Sequence, residues 1–485
     1  MQPSAFVADL YRMFPKMKLE DNLADVSEEH IYNKKQAFLY IMRSVSDKKL
    51  KKNAAAAAEI FKGDEDFERS LGMARYAGEY KKRQPEISAE NARALYNDYH
   101  RYSVSRLNDY SACPFSYFIK HGLKAQEREI RQIRKFEIGS LLHYAVCEYC
   151  RDVEGELTDF SDIKRRWLEL EKEESDSIAE RIMEDISERI LSSASRDAGK
   201  IKYILGRMKK ILLRSVEIVR LSLSRGEYTA VCYEEKFQID IEWGGKSVGL
   251  NGTIDRVDAS PCEEEGKLYL RVIDYKSGNK SFDVTSISNS TDMQLVVYAI
   301  AATELYKKGA LGRAQKGLTP EISGILYNKL RDDRVKCKEA STEELEKLRI
   351  SQMKPDGIIV ADKAEEADAA VRMDRNLTAG AKSEFMKLAL TSKGDALDGR
   401  FSSAVERDKF NILMNYVKKT TVRIDSEIFG GKIEIKPSSG KGGRACRFCA
   451  YREICLYDPA SDGERKELKS KDEAWSFMEE EVGKE

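Results

Sequence analysis

From residue 155 to 225 apolar positions recur at helical spacing, which predicts long amphipathic helices. The rhythm then changes. "VCYEEKFQIDIEW" (231–243), "SVGLNGTIDRVD" (247–258), "KLYLRVIDYKSG" (267–278) and "EISGILYNKL" (321–330) are short, rich in β-branched and aromatic residues, and separated by turn residues, so a cluster of strands is expected. "FEIGSLLHYAV" (136–146) reads as a helix before them, and "DMQLVVYAIAATELY" (292–306) as an apolar helix after the third. Residues 1–95 read as charged helices, with the alanine run Ala54–Ala58 inside a helix pattern. Residues 96–457 mix helix and strand, the pattern of an α/β protein. From Asp458 on, the chain is polar and charged, which predicts a solvated helix or partly disordered tail.

With 485 residues the chain can hold two or more domains and a sizeable core. Lys plus Arg and Asp plus Glu balance at 83 each, so net charge gives no support for nucleic-acid binding, and any basic groove must be local. "RQIRK" (131–135), "RMKKILLR" (207–214) and "KPSSGKGGR" (436–444) are candidates for one. No run of 18 or more apolar residues predicts a membrane span, and the N-terminus does not read as a secretory signal, so a cytoplasmic chain is expected. No G-x-x-x-x-G-K-[ST] loop argues for an ATP motor.

In "LYLRVIDYKSG" the strand alternation puts Asp274 and Lys276 on one face. A carboxylate there can hold a divalent cation, and a lysine can orient water or stabilise charge on a phosphate. Asp255 in "GTIDRVD" offers a second carboxylate, while Asp258 falls on the opposite face of a regular strand. An isolated D-x-K is more often a solvated pair than a site. Here it stands in an ordered set: His143 on a helix, Asp255 on a strand, Asp274 and Lys276 on the next, then Gln294 and Tyr298 four apart on one helical face.

Nine cysteines, an odd number, suit metal ligation plus free thiols better than a disulfide framework. "CRFCAYREIC" (446–455) holds three of them as C-x2-C-x5-C, one short of a tetrahedral thiolate set. A rival set, His143, Cys147 and Cys150, shares one helical face, although buried cysteines at such spacing are more often core.

The stretches "SVSRLNDYSACPFSYFIKHGL" (103–123), "GSLLH" (139–143), "GTIDRVD", "VIDYKSG", "QLVVYA" (294–299) and "CRFCAYREIC" together resemble the nuclease domain of the PD-(D/E)XK superfamily in its RecB-like branch. More narrowly they resemble the AddB-type subunit of bacterial helicase–nuclease complexes that process double-strand breaks. The resemblance implies a restriction-endonuclease-like core: a mixed sheet flanked by helices, with a helical insertion at about 155–225. It implies an all-helical remnant of a helicase-like region in 1–95, a nuclease domain in 96–457 and a charged tail in 458–485.

It further implies that His143, Asp255, Asp274 and the Tyr275 carbonyl hold Mg²⁺ or Mn²⁺. Lys276 would act on water or the phosphate, and Gln294 and Tyr298 would hold the lysine or touch the DNA backbone. Cys113 would complete a [4Fe–4S] cluster with Cys446, Cys449 and Cys455. Four thiolates fit zinc or iron–sulfur equally by ligand type, but the wide gap between Cys113 and Cys446 leans toward a structural staple joining the ends of one domain. The family often has a glycine shortly before the glutamine; here the stretch is "SNSTDMQ" (288–294). The expected activity is a metal-dependent DNA exonuclease in double-strand-break repair, partnered by an AddA-type helicase–nuclease subunit. The alternatives are a catalytically silent iron–sulfur DNA-binding scaffold and a zinc-dependent interaction module.

Overall fold

In the computed structural model the chain divides into two compact units, Met1–Arg83 and Gln84–Glu485. The structure describes residues 12–15, 33–46, 59, 61–79, 85–97, 99–125, 135–193, 198–278, 280–331, 335, 341–439, 445–458, 462, 465 and 467–484. In the first unit, helices α1 (Lys34–Ser46) and α2 (Glu65–Glu79) share a small core of Ala37, Ile41, Phe61 and Phe67. The run Ala54–Ala58 lies outside the described residues.

The second unit opens with α3 (Ala89–Tyr96), whose Ser88 caps the Asn91 amide. Strand β1 (Arg101–Ser103) leads into α4 (Val104–Ala112), a short helix α5 (Pro114–Tyr117) and a π-helical turn to Gly122. Four helices follow: α6 (Lys135–Glu154), α7 (Phe160–Glu169), α8 (Lys172–Ser193) and α9 (Ala198–Arg225). Their apolar stripes, Ile163 and Trp167 on α7 and Met208, Leu212, Val216, Val219 and Leu223 on α9, pack together as the 155–225 periodicity predicts.

Strands β2 (Thr229–Trp243), β3 (Lys246–Cys262) and β4 (Lys267–Lys276) form an antiparallel meander. The chain then crosses through α10 (Val284–Ser288) and α11 (Gln294–Lys307) to β5 (Thr319–Lys329), which lies parallel to β4. After α12 (Thr342–Gln352), β6 (Asp356–Val360) adds antiparallel to β5; α13 (Glu366–Met373) and β7 (Ala404–Val405) follow, β7 parallel to β6. The result is a seven-stranded mixed sheet. Leu268, Leu270 and Val272 of β4 enter one core, with α11 and α14 (Arg407–Phe429); Tyr269, Ile273 and Tyr275 enter a second, with α6 to α9. Burial on both faces explains why β4 reads as a near-continuous apolar run.

Two expectations change. Strands β1, β6 and β7 were not anticipated, being only 3, 5 and 2 residues long. The segment after Asp458 carries the expected helix, but that helix is docked on the core rather than wholly solvated. After the short α15 (Arg452–Cys455), its helix α16 (Lys471–Gly483) buries Ala474 and Met478 in the first core, with Trp475, Phe477 and Val482 packed beside them. Those apolar residues make a docking stripe that the surrounding acids mask in composition. No helix among the described residues is long and apolar enough to cross a membrane.

Candidate active site

The antiparallel ladder of β3 and β4 reaches Arg256 opposite Ile273, so Asp255 and Asp274 lie one pair further on. At that point the Tyr275 amide donates to Asp255 Oδ2 at 2.7 Å. His143 on α6 brings Nδ1 to 3.2 Å from the same oxygen. Burial opposes protonation of this imidazole, but the hydrogen bond and charge of Asp255 outweigh it and raise the His143 pKa.

Asp274 is fully buried, and neither carboxylate oxygen accepts a hydrogen bond. Lys276 Nζ stands 2.5 Å from its Oδ2 as an ion pair without hydrogen-bond alignment. Burial first, then the charge of Asp255, push the Asp274 pKa up to about 7. Lys276 donates to Gln294 Oε1 at 3.0 Å, and Gln294 Nε2 donates to the Tyr298 hydroxyl at 2.7 Å. Thus His143, Asp255, Asp274, the Tyr275 backbone, Lys276, Gln294 and Tyr298 form one continuous chain of contacts. A cavity of about 620 Å³ opens onto His143, Tyr275 and Lys276.

The backbone before Gln294 has a physical explanation. Ser290 follows the last turn of α10 in the left-handed region, at φ 61°. Its amide bonds Ile287 O at 2.8 Å, and the Thr291 amide bonds Ser286 O at 2.8 Å. This is a Schellman-type helix end, at the position where glycine is usual.

Asp258 has a structural role. Arg256 donates to it at 2.5 and 2.7 Å and Arg271 at 2.6 Å, all three side chains being buried. Cys147 and Cys150 are core residues of α6, and burial raises the thiol pKa of both, that of Cys147 to about 12. Among the described residues neither joins His143 in a ligand group. Sequence reasoning missed a further carboxylate: ligand atoms of His143, Glu234 and Asp255 all lie within 4.8 Å of one another. Its only trace in the sequence is the Glu234–Glu235 doublet interrupting the alternation of β2.

Cys113 ends α4, Cys446 lies in the turn Ala445–Phe448, and Cys455 ends α15. Together with Cys449 they line one cavity of about 300 Å³. Backbone bonds from Phe115 N to Glu434 O (3.2 Å) and from Ser438 N to Ala112 O (2.8 Å) join the two ends of the domain beside it. Burial raises the Cys113 pKa, with neighbouring Cys446 and Cys449 adding to the effect.

Of the basic candidates, "RMKKILLR" is partly committed: Lys209 pairs with Glu180 at 2.5 Å, and the buried Arg214 pairs with Glu346. Lys436 pairs with Glu434 at 2.7 Å. Residues 131–134 and 440–444 lie outside the described residues.

Residues 101–456 match the PD-(D/E)XK nuclease superfamily. A protein of Caldanaerobacter subterraneus subsp. tengcongensis, named as the B-type subunit of an ATP-dependent helicase/deoxyribonuclease, is 28% identical, over 99% of this chain and 41% of its own length. Proteins of the same name from Clostridium botulinum strain Hall and Acetivibrio thermocellus are 28% and 29% identical, over 99% and 83% of this chain and 42% and 34% of their own lengths. The chain therefore spans about two-fifths or less of these relatives. A family match across most of the chain coincides with a buried acid, lysine and glutamine set on the expected strands and helix, and the chain belongs to the PD-(D/E)XK nuclease superfamily.

Proposed function

We propose that this chain is the nuclease part of an AddB-type subunit: a metal-dependent deoxyribonuclease that acts on DNA ends in double-strand-break processing, beside an AddA-type helicase–nuclease subunit. The observation that carries this reading is Asp274, wholly buried, without a hydrogen bond, and 2.5 Å from Lys276. Lys276 supplies one positive charge, but Asp274 still feels the second buried carboxylate of Asp255, an arrangement that a divalent cation would relieve. The relatives' shared name, which describes one subunit of a helicase/deoxyribonuclease, supports the DNA substrate and the partner.

The donor set fits a hard divalent cation: Asp255 and Asp274 supply carboxylate oxygens and His143 an imidazole nitrogen, with the Tyr275 carbonyl as a further ligand. Bound Mg²⁺ or Mn²⁺ would polarise the scissile phosphate and make a water more acidic. Lys276 provides positive charge where the pentavalent phosphorus becomes more negative. Gln294 limits the lysine's rotamers, and Tyr298 fixes the amide that does so. Asp255 holds the imidazole of His143 in orientation.

Cys113, Cys446, Cys449 and Cys455 line one cavity of about 300 Å³, which supports a metal centre shared by all four, and a [4Fe–4S] cluster is the group that the resemblance implies for them. Such a cluster would tie α4 to the last segment of residues 96–457, with residues 1–95 as a remnant of a helicase-like region.

The test is degradation of end-labelled linear DNA by anaerobically purified protein with Mg²⁺, beside Lys276→Ala. Cleavage by the parent alone is expected. Equal cleavage by both would sink the site assignment. Cleavage by neither, in protein holding iron and sulfide, would favour the silent DNA-binding scaffold; zinc without iron would overturn the cluster.

A further inference from the structure

We propose that Glu234, on β2, is a metal ligand of this site, completing one coordination cage with His143 and Asp255. The inference rests on the nuclease reading above and adds a protein anion to it. Glu234 stands in register with Asp255, flanked by the pairs Tyr233 with Arg256 and Glu235 with Ile254. Its side chain lines the same cleft as His143, Tyr275 and Lys276. The three ligand atoms, within 4.8 Å of one another, need only small side-chain adjustment to meet a cation with metal–oxygen bonds of about 2.1 Å.

Among the described residues Glu234 makes no hydrogen bond or ion pair. The positive charges that reach it are His143, whose ligand nitrogen lies within 4.8 Å, and Arg151, which is bonded instead to Glu148 at 2.8 Å and to the Tyr233 carbonyl at 3.1 Å. A second buried carboxylate adjoins the group. Asp274, one pair beyond the Arg256–Ile273 rung and so across from Asp255, has the Lys276 ammonium at 2.5 Å and still feels the charge of Asp255, the residue that Glu234 and His143 share. Glu234 also has φ 50°, a left-handed backbone inside a strand on a residue that is not glycine. A glycine would relieve that conformation, so retaining a glutamate calls for a use of its side chain.

The experiment is calorimetric titration of the full chain with Mn²⁺ in the absence of DNA, for the parent, Glu234→Gln, Glu234→Gly and Asp274→Ala. Mn²⁺ suits a site of carboxylates and one imidazole. Both Glu234 variants should bind Mn²⁺ at least ~10-fold more weakly than the parent, while the metal-free proteins remain folded and melt no lower than the parent, since each change removes strain or an unbalanced charge. Glu234→Gly separates the ligand from the backbone: a variant that removes the strain and still binds like the parent overturns the proposal. Glu234→Gln binding within about twofold of the parent overturns it as well. If Asp274→Ala alone loses Mn²⁺, the nuclease reading stands and Glu234 is not a ligand. A parent that neither binds Mn²⁺ nor cuts DNA overturns both.

Discussion

Asp274→Asn should make the metal-free protein more stable while abolishing cleavage. The folded-state pKa of about 7, against an ordinary 3.8, means that burial and Asp255 resist ionisation of this carboxyl. For a carboxyl whose pKa is raised on folding, stability is fully present below the unfolded pKa and is lost as pH rises through the folded one. Three pKa units correspond to about 4 kcal/mol by pH 8, but to under about 2 kcal/mol at pH 5, where the folded side chain is still protonated. The attraction of Lys276 is already inside that shift, because it is one of its causes. Asparagine has a similar shape and no charge, so the variant should exceed the parent by more than about 2 kcal/mol at pH 8, and the gap should narrow at pH 5. Urea unfolding in chelator at the two pH values measures both. Saturating Mn²⁺ should then stabilise the parent selectively, since an ion that binds only the folded state adds stability by mass action. A variant less stable than the parent at pH 8, or a gap that does not change with pH, would refute the claim that the site stores an unbalanced carboxylate for a cation.

Two other substitutions test the surroundings. Asp258→Asn should destabilise the domain by about 3–5 kcal/mol, because Arg256 and Arg271 lose the carboxylate they share in a fully buried setting. Soluble yield and the urea midpoint check it, and unchanged stability would leave Asp258 open as a ligand. Ser290→Gly should stabilise by about 1 kcal/mol, since glycine adopts φ near 61° without the Cβ penalty that serine meets. Equal midpoints for parent and variant would argue against a left-handed helix end before Gln294.

Much of the site was legible from residue order. Lys276 and Asp274 had to share a strand face, and Gln294 and Tyr298 a helix face, because those periods follow from backbone geometry alone. The strands of the sheet centre announced themselves through β-branched runs between turns. Short edge strands such as β7 left no such signal, because two residues carry no period. The C-terminal helix was legible but its docking was not, for a related reason: its acids dominate composition, while Ala474 and Met478 decide where it docks.

Residue order settles what is local: which segments become helix or strand, and which functional groups share a face. Tertiary structure alone decided the long-range contacts. Only the β3–β4 register sets Asp255 across from Asp274, only the packing of α6 brings His143 to 3.2 Å from Asp255, and only the β2–β3 register sets Glu234 beside them. The same holds for protonation. Asp274 and Asp258 are both buried aspartates with the same intrinsic chemistry. Burial and Asp255 drive the first pKa up; burial opposes Arg256 and Arg271 at the second, but the two arginines prevail and hold it down. That difference lies in neighbours brought from elsewhere in the chain, because Coulomb interaction and desolvation depend on distance and burial in space rather than on separation along the sequence.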